Sequence, residues 1–116
     1  MKKIINVGGK DYTMKSSAFT QFAYKDMTGR SLLADIQSLQ DLDTTDMTVI
    51  DNLTEVLLKL SYVMLDEADN TQAKSYEDFI KSIDNLYDEP KWIEEVISLA
   101  MTPLSSGNLQ KSKLEN

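Results

Sequence analysis

The opening of the chain alternates apolar and polar side chains on both sides of Gly8-Gly9, which is the period-two pattern of β-strands. A pair of glycines supplies the positive φ angles of a two-residue type I′ turn, so the pattern predicts a β-hairpin over residues 3–14. Its register places Val7 opposite Lys10 and gathers four apolar side chains on one face. They are Ile5, Val7, Tyr12 and Met14. Because a two-stranded hairpin is marginally stable in water, we expect it either to pack on helices or to pair its edge with another chain.

After the hairpin, the spacing of apolar residues changes to the helical period. Ser17 and Ser31 are typical N-cap residues and predict two helices, the first of which ends at Gly29. The apolar side of the first helix comprises Ala18, Phe19, Phe22, Ala23 and Met27, and that of the second comprises Leu32, Leu33, Ile36 and Leu39. We therefore expect the two phenylalanines to be buried. Tyr24 falls on the opposite side of the first helix, so we expect it to be an exposed aromatic residue at an interface.

The longest predicted helix begins after Asp46 and ends near Leu65. Eight apolar residues share an arc about 140° wide, which is typical of a face buried in the core. They are Val49, Ile50, Leu53, Val56, Leu57, Leu60, Val63 and Met64. A second apolar group lies on a different face and comprises Met47, Leu58, Tyr62 and Leu65. A helix with two apolar faces is either central in its domain or covered on one side by a partner.

The remaining periodicity predicts two further helices. Ser75 and Asp78 resemble a capping box at the start of the fourth, and Pro90 suits the first turn of the fifth. Phe79, Ile80, Ile83, Leu86 and Tyr87 form the apolar side of the fourth, and Trp92, Ile93, Val96, Ile97, Ala100 and Met101 that of the fifth. We expect a mainly α fold, a compact bundle of about five helices with an N-terminal β-hairpin. Residues 1–103 form this single domain, and residues 104–116 are expected to be a flexible C-terminal tail.

Composition excludes several classes of site. The 116 residues include no Cys and no His, which removes thiolate nucleophiles, imidazole bases and zinc sites built on these residues. A net charge of −7 is the wrong sign for binding nucleic acid. The most apolar segment, Val56 to Leu65, is too short to span a membrane, and the apolar run after Met1 is too short for a signal peptide. We therefore expect a soluble cytoplasmic protein with no nucleic-acid or membrane partner.

The charges are unevenly distributed along the chain. Residues 1–40 hold six basic and three acidic side chains, whereas residues 41–100 hold four basic and fifteen acidic ones. This division is compatible with an ordinary carboxylate-rich surface. It is equally compatible with a basic and an acidic pole, through which copies of the chain associate head to tail in a ring or spiral. In that case the basic contacts with the neighbouring copy are Lys2, Lys3, Lys10 and Lys15.

No residue is assigned a catalytic, cofactor-binding or metal-binding role. The acidic segments that begin at Asp41 and Asp66 both lack the glycine that an EF-hand loop needs at its sixth position. Glu94 and Glu95 are adjacent, as in an ordinary solvated face. Their alternative role is to hold magnesium in a small all-α nucleotide hydrolase. We expect that the protein is not an enzyme.

Two segments carry a resemblance to a known family. The first is Ile5-Asn6-Val7-Gly8-Gly9-Lys10-Asp11-Tyr12, and the second is Ser75-Tyr76-Glu77-Asp78-Phe79-Ile80-Lys81-Ser82-Ile83-Asp84. Together with the order of elements over residues 4–101, they resemble the small tail assembly chaperones of long-tailed phages that infect Gram-positive bacteria, the lactococcal siphophage type in particular.

The resemblance implies a viral protein without catalytic residues. Such chaperones bind the long, helical tape measure protein in the host cytoplasm until the tail tube assembles around it, and they are absent from the mature virion. A structural virion component, such as a head–tail connector or minor tail protein, is the alternative. From the residues alone, the candidate contacts with a client are Met47, Leu58, Tyr62, Leu65 and Tyr24. The six methionines also suit an adaptable contact surface.

Overall fold

A computed structural model describes the backbone of residues 1–40, 47–86 and 91–103, and the side chains of residues 1–38, 52–86 and 91–103. The described elements follow the chain as β1 (Lys2–Val7), β2 (Lys10–Lys15), α1 (Ala18–Thr28), α2 (Leu32–Gln40), α3 (Met47–Ala68), α4 (Tyr76–Lys81) and α5 (Lys91–Met101). The described part of the chain is mainly helical, with five helices and an N-terminal antiparallel hairpin. The predicted fold class is confirmed.

The hairpin has the predicted register and turn. Val7 pairs with Lys10, and the connecting glycines have φ angles of +64° and +95°. Asn6 closes the turn, because its Oδ1 accepts a hydrogen bond from the Gly9 N–H at 3.1 Å. The four apolar side chains of the inner face, Ile5, Val7, Tyr12 and Met14, are each at most 2% exposed. This face packs on α3 and α5, so the hairpin is stabilised by helices within the same chain.

The ends of α1 also agree with the sequence. Ser17 caps the helix in a capping box with Thr20, and Gly29 ends it in the left-handed conformation at φ +74°. The side of α1 that faces the core is the opposite of the predicted one. Thr20 and Tyr24 are buried, whereas Phe19 and Phe22 are 61% and 63% exposed. The predictions of buried phenylalanines and an exposed Tyr24 are therefore wrong.

The long helix α3 lies at the centre of the fold. It contacts β2, α1, α4 and α5, and these neighbours cover both of its apolar faces in the described part. Leu57 and Leu60 on the first face are fully buried, and so is Leu65 on the second, while Leu58 is 6% exposed. Of the two explanations for its double apolar pattern, the central position is the one observed.

The C-terminal helices hold two of the three largest fully buried side chains, Trp92 and Phe79. Ser75 caps α4 as predicted, with its Oγ accepting a hydrogen bond from the Asp78 N–H at 3.1 Å. Phe79 and Trp92 are fully buried, as the sequence predicts, and the Trp92 indole N–H donates to the Leu86 carbonyl at 2.9 Å. The fourth helix ends at Lys81, earlier than predicted.

This early end of α4 has a local cause. Ser82 follows the helix, and its Oγ donates to the Phe79 carbonyl at 2.7 Å and lies 2.6 Å from the Tyr12 hydroxyl on the hairpin. The chain is thereby tied to β2 at the point where the apolar period would continue the helix.

Some predictions fall outside the described residues. They concern the Asp46 cap, the side chains of Leu39, Met47, Val49 and Ile50, Tyr87, Pro90 and the tail 104–116. Among the helices that are described, none is both long enough and apolar enough to cross a membrane.

Candidate functional site

An open apolar groove runs between α1 and α3. Its volume is about 540 Å³. The lining residues are Phe19, Phe22, Ala23, Asp26, Met27, Tyr62, Val63, Asp66 and Glu67. Phe19, Phe22 and Met27 are among the most exposed large apolar side chains of the described structure. Three apolar side chains of one helix therefore stand at the surface along a single groove.

Polar contacts on the inner side of α1 hold these side chains outward. Glu67 near the end of α3 accepts hydrogen bonds from the Ser17 Oγ at 2.6 Å and from the Thr20 Oγ1 at 2.8 Å. One turn further along α1, the Tyr24 hydroxyl donates to Asp35 Oδ2 at 2.6 Å. Each residue of an α-helix is rotated by about 100° from the last, so fixing Tyr24 inward turns Phe22 about 200° away from the core.

The anchor at Tyr24 is a charged cluster at the edge of the core. Asp35 is 4% exposed, and the Arg30 guanidinium donates to both of its carboxylate oxygens at 2.7 to 3.1 Å. The Arg30 hydrogen bonds hold the pKa of the Asp35 carboxyl below its usual value, so the carboxylate stays ionised. Burial and the hydrogen bond to Asp35 raise the pKa of the Tyr24 phenol, so it stays a neutral donor. The cluster locks the orientation of α1 against α2.

The opposite wall of the groove is formed by α3, where Tyr62 packs against aromatic residues of α4. The Tyr62 ring meets Tyr76 edge-on, with centroids 5.9 Å apart, and lies 6.3 Å from the Phe79 ring. Burial raises the pKa of the Tyr62 phenol, and the neighbouring Asp66 raises it further. Tyr62 is thus a half-buried neutral hydroxyl on a rigid wall, able to donate a hydrogen bond to whatever occupies the groove.

The charges that line the groove have one sign. Asp26, Asp66 and Glu67 are acidic, and no basic side chain is among the lining residues. Glu67 is engaged by two hydroxyl groups, whereas Asp26 and Asp66 are exposed and form no hydrogen bond or ion pair with any described residue. The groove therefore combines an apolar floor with a negative rim.

The structure separates the predicted client contacts from one another. Tyr62 lines the groove. Tyr24 and Leu65 are fully buried and Leu58 is nearly so, because α3 is central and Tyr24 bonds to Asp35. The folded chain does not present these three side chains to a partner, which corrects the prediction. The side chain of Met47 lies outside the described residues.

The four lysines predicted to mediate self-association all lie on the strands of the hairpin. Lys3 Nζ forms an ion pair with Glu95 Oε2 at 3.0 Å within the same chain, so it is already engaged. Lys10 Nζ lies 5.4 Å from the centroid of the Tyr12 ring. Lys2 and Lys15 are exposed and directly opposite each other in the register. Contact of these lysines with a second copy stays a prediction.

The apolar stripe of α1 is visible in the sequence, but its pattern predicts a core position that the structure does not show. The missed signal is the placement of hydrogen-bonding residues on the other side of the helix, where Thr20 and Tyr24 occur one turn apart. These two positions form an inward stripe only if distant acids supply acceptors, and here Glu67 and Asp35 do so. Among the residues that the structure describes, no three Asp or Glu side chains converge as metal ligands.

Comparison of the chain with protein-family models, with curated protein sequences and with solved structures finds no match. The function is therefore inferred from the residues themselves and from the groove that they form.

Proposed function

We propose that this protein is a phage tail assembly chaperone that binds the tape measure protein and keeps it soluble until the tail tube assembles around it. The observation that carries the proposal is the groove between α1 and α3, where Phe19 and Phe22 are more than 60% exposed. A contiguous exposed apolar surface marks an interaction site, since a monomeric protein gains nothing from leaving two phenylalanines in water. The sequence resemblance to tail assembly chaperones supplies the identity of the client.

The dimensions of the groove suit a helical client. The apolar residues of α1 extend from Phe19 to Met27, which is eight residues or about 12 Å of helix. A client helix that presents apolar residues at positions i, i+3 or i+4, and i+7 covers about 10 Å, and this is the stripe that helix-binding grooves recognise. A single site of this size binds weakly, and many copies along one client protect it while each remains able to dissociate.

The proposal places the protein in the host cytoplasm during assembly and outside the mature virion. Homo-oligomers in a ring or spiral would add avidity, because several grooves then engage one client. Neither association requires a cofactor.

Co-expression with the tape measure protein of the same phage tests the proposal. We expect a soluble complex that neither chain gives alone. Phe22→Ser should lose the complex while keeping the fold, because the side chain is 63% exposed and contributes little to the core. Ile4→Ser is the matched control, since Ile4 is 65% exposed on the outer hairpin face and does not line the groove.

Two results would refute the proposal. One is a tape measure protein that stays insoluble with the wild-type chain. The other is recovery of the chain as a stoichiometric component of purified virions, which would support the structural alternative instead. A Phe22→Ser variant that solubilises the client as well as wild type would show that the client binds elsewhere than the groove.

A further inference from the structure

We propose that the groove between α1 and α3 selects a basic amphipathic helix, one whose apolar stripe is flanked by Lys or Arg side chains. This inference rests on the proposed function and specifies the chemistry of the client segment. It follows from the acidic rim, since the lining includes Asp26, Asp66 and Glu67 and no basic residue.

Two of these carboxylates are available to a partner. Glu67 already accepts hydrogen bonds from Ser17 and Thr20, so its negative charge is partly satisfied within the chain. Asp26 and Asp66 are exposed and form no hydrogen bond or ion pair with the described residues. An apolar client without basic side chains would remove water from these two carboxylates and leave them without a counter-charge. This desolvation cost disfavours its binding.

The two available carboxylates lie toward opposite ends of the groove. The bond between Thr20 and Glu67 joins the start of α1 to the end of α3, and Tyr24 and Thr28 line a second cavity with Asn52 and Glu55, so the helices run antiparallel. Asp66 is adjacent to Glu67 at the first end. Asp26 is six residues beyond Thr20, about 9 Å along α1. A client helix therefore meets a carboxylate near each end of a two-turn apolar stripe.

The shape of the groove favours a helix over a small molecule. Small-molecule sites enclose most of their ligand, about 70 to 90% of its surface. Here the Phe19 and Phe22 rings of the apolar floor are themselves 61% and 63% exposed, so the groove does not enclose a ligand. The apolar stripe of an amphipathic helix fits an open groove of this kind. The neutral Tyr62 hydroxyl can donate a hydrogen bond to polar side chains that flank the stripe.

Two labelled model peptides of about 18 residues, five turns each, test the inference by fluorescence anisotropy with the full chain. They share one leucine stripe and differ in carrying Lys or Glu at the flanking positions. We expect the Lys peptide to bind at least about tenfold more tightly at low ionic strength, with the preference shrinking as salt rises to about 0.5 M. The double variant Asp26→Asn with Asp66→Asn should lose most of the preference.

Matched controls separate charge from apolar contact. Asp84→Asn removes an exposed acid that does not line the groove and should leave the preference unchanged. Phe22→Ser should weaken both peptides by a similar factor, since it changes the shared apolar floor.

The inference is overturned if both peptides bind equally at low salt or if the double variant keeps the full preference. It is also overturned if sedimentation shows a dimer that Phe22→Ser dissociates, because the groove would then belong to a second copy. The two proposals can also fail separately. If wild type and the double variant keep the tape measure protein equally soluble and the two peptides bind equally, the proposed function stands and this inference fails. If the Lys peptide is strongly preferred but the tape measure protein stays insoluble, the inference about the groove stands and the proposed function fails.

Discussion

Removing the Tyr24 hydroxyl is expected to destabilise the fold by about 2 kcal/mol. The hydroxyl is the inward anchor of α1, and its oxygen lies 2.6 Å from Asp35 Oδ2 in a fully buried position. Tyr24→Phe removes this one atom and keeps the ring that packs in the core. The variant therefore isolates the hydrogen bond that turns the apolar side of α1 toward solvent.

The magnitude follows from what remains after the substitution. Hydrogen bonds to charged groups contribute about 1.5 to 3 kcal/mol. Asp35 is not left unpaired in the variant, because the Arg30 guanidinium still donates to both carboxylate oxygens. The loss is therefore set near 2 kcal/mol, below the upper end of the range. For a domain of this size it corresponds to a melting temperature lower by roughly 8 °C.

The same cluster predicts a pH dependence. The Arg30 hydrogen bonds lower the pKa of Asp35 in the folded state below the value of about 3.9 that an unfolded chain has. The stability contributed by the carboxylate is therefore fully present above about pH 5 and is lost as the pH falls below about 4, through the folded pKa. The difference in unfolding free energy between wild type and Asp35→Asn should narrow in that acidic range.

Urea denaturation followed by circular dichroism measures both effects. Tyr76→Phe is the control, since no hydrogen bond joins the Tyr76 hydroxyl to another described residue, and it should change the unfolding free energy by less than about 0.5 kcal/mol. A Tyr24→Phe variant no less stable than Tyr76→Phe would refute the role of the hydroxyl as an anchor. A wild-type advantage over Asp35→Asn that grows toward low pH would refute the lowered pKa.

Two further predictions concern the hairpin. Gly8→Ala should lower the free energy of unfolding in urea by about 2 to 4 kcal/mol, because the new methyl group overlaps the Ile83 side chain and the φ angle is +64°. Gly9→Ala should lower it by only about 1 to 2 kcal/mol, because a methyl group there has open space. Equal losses for the two variants would contradict this prediction. In the wild type the Thr13 amide donates a hydrogen bond to Gln72 Oε1 at 2.8 Å. Gln72→Ala should therefore destabilise the fold by about 1 to 2 kcal/mol and speed hydrogen exchange at the Thr13 amide. Unchanged exchange at Thr13 would show that Gln72 does not protect this edge of β2.

The sequence alone was sufficient for features that depend on neighbouring residues. The register of the hairpin follows from Gly8-Gly9, because few other residues adopt positive φ at both turn positions. The starts of α1 and α4 follow from Ser17 and Ser75, whose hydroxyl groups bond to backbone N–H groups two or three residues away. Burial of Trp92 follows from its place in a strong apolar period. Each of these features depends on residues that are close together in the sequence.

The candidate site could be predicted only in part. Its apolar stripe is visible in the sequence, and so is the presence of Tyr62 on a second face of α3. The exposure of Phe19 and Phe22 is not, because they lie on the more apolar side of α1, which the pattern predicts to be buried. An apolar pattern predicts that the more hydrophobic side of a helix faces the core. In α1 the opposite side, which carries Thr20 and Tyr24, is the buried one.

Tertiary structure decided which side of α1 faces the core, through contacts between residues distant in sequence. Thr20 bonds to Glu67, 47 positions away, and Tyr24 bonds to Asp35 on the next helix. A buried hydroxyl is stable only when an acceptor meets it, and nothing in the local sequence shows which acid arrives there. The same reason explains the burial of Leu58 and Leu65, because α3 packs against the hairpin and against helices from elsewhere in the chain. Local patterns thus determined the register of the hairpin and the starts of α1 and α4, while long-range hydrogen bonds and packing determined where α4 ends and which surface was left for a partner.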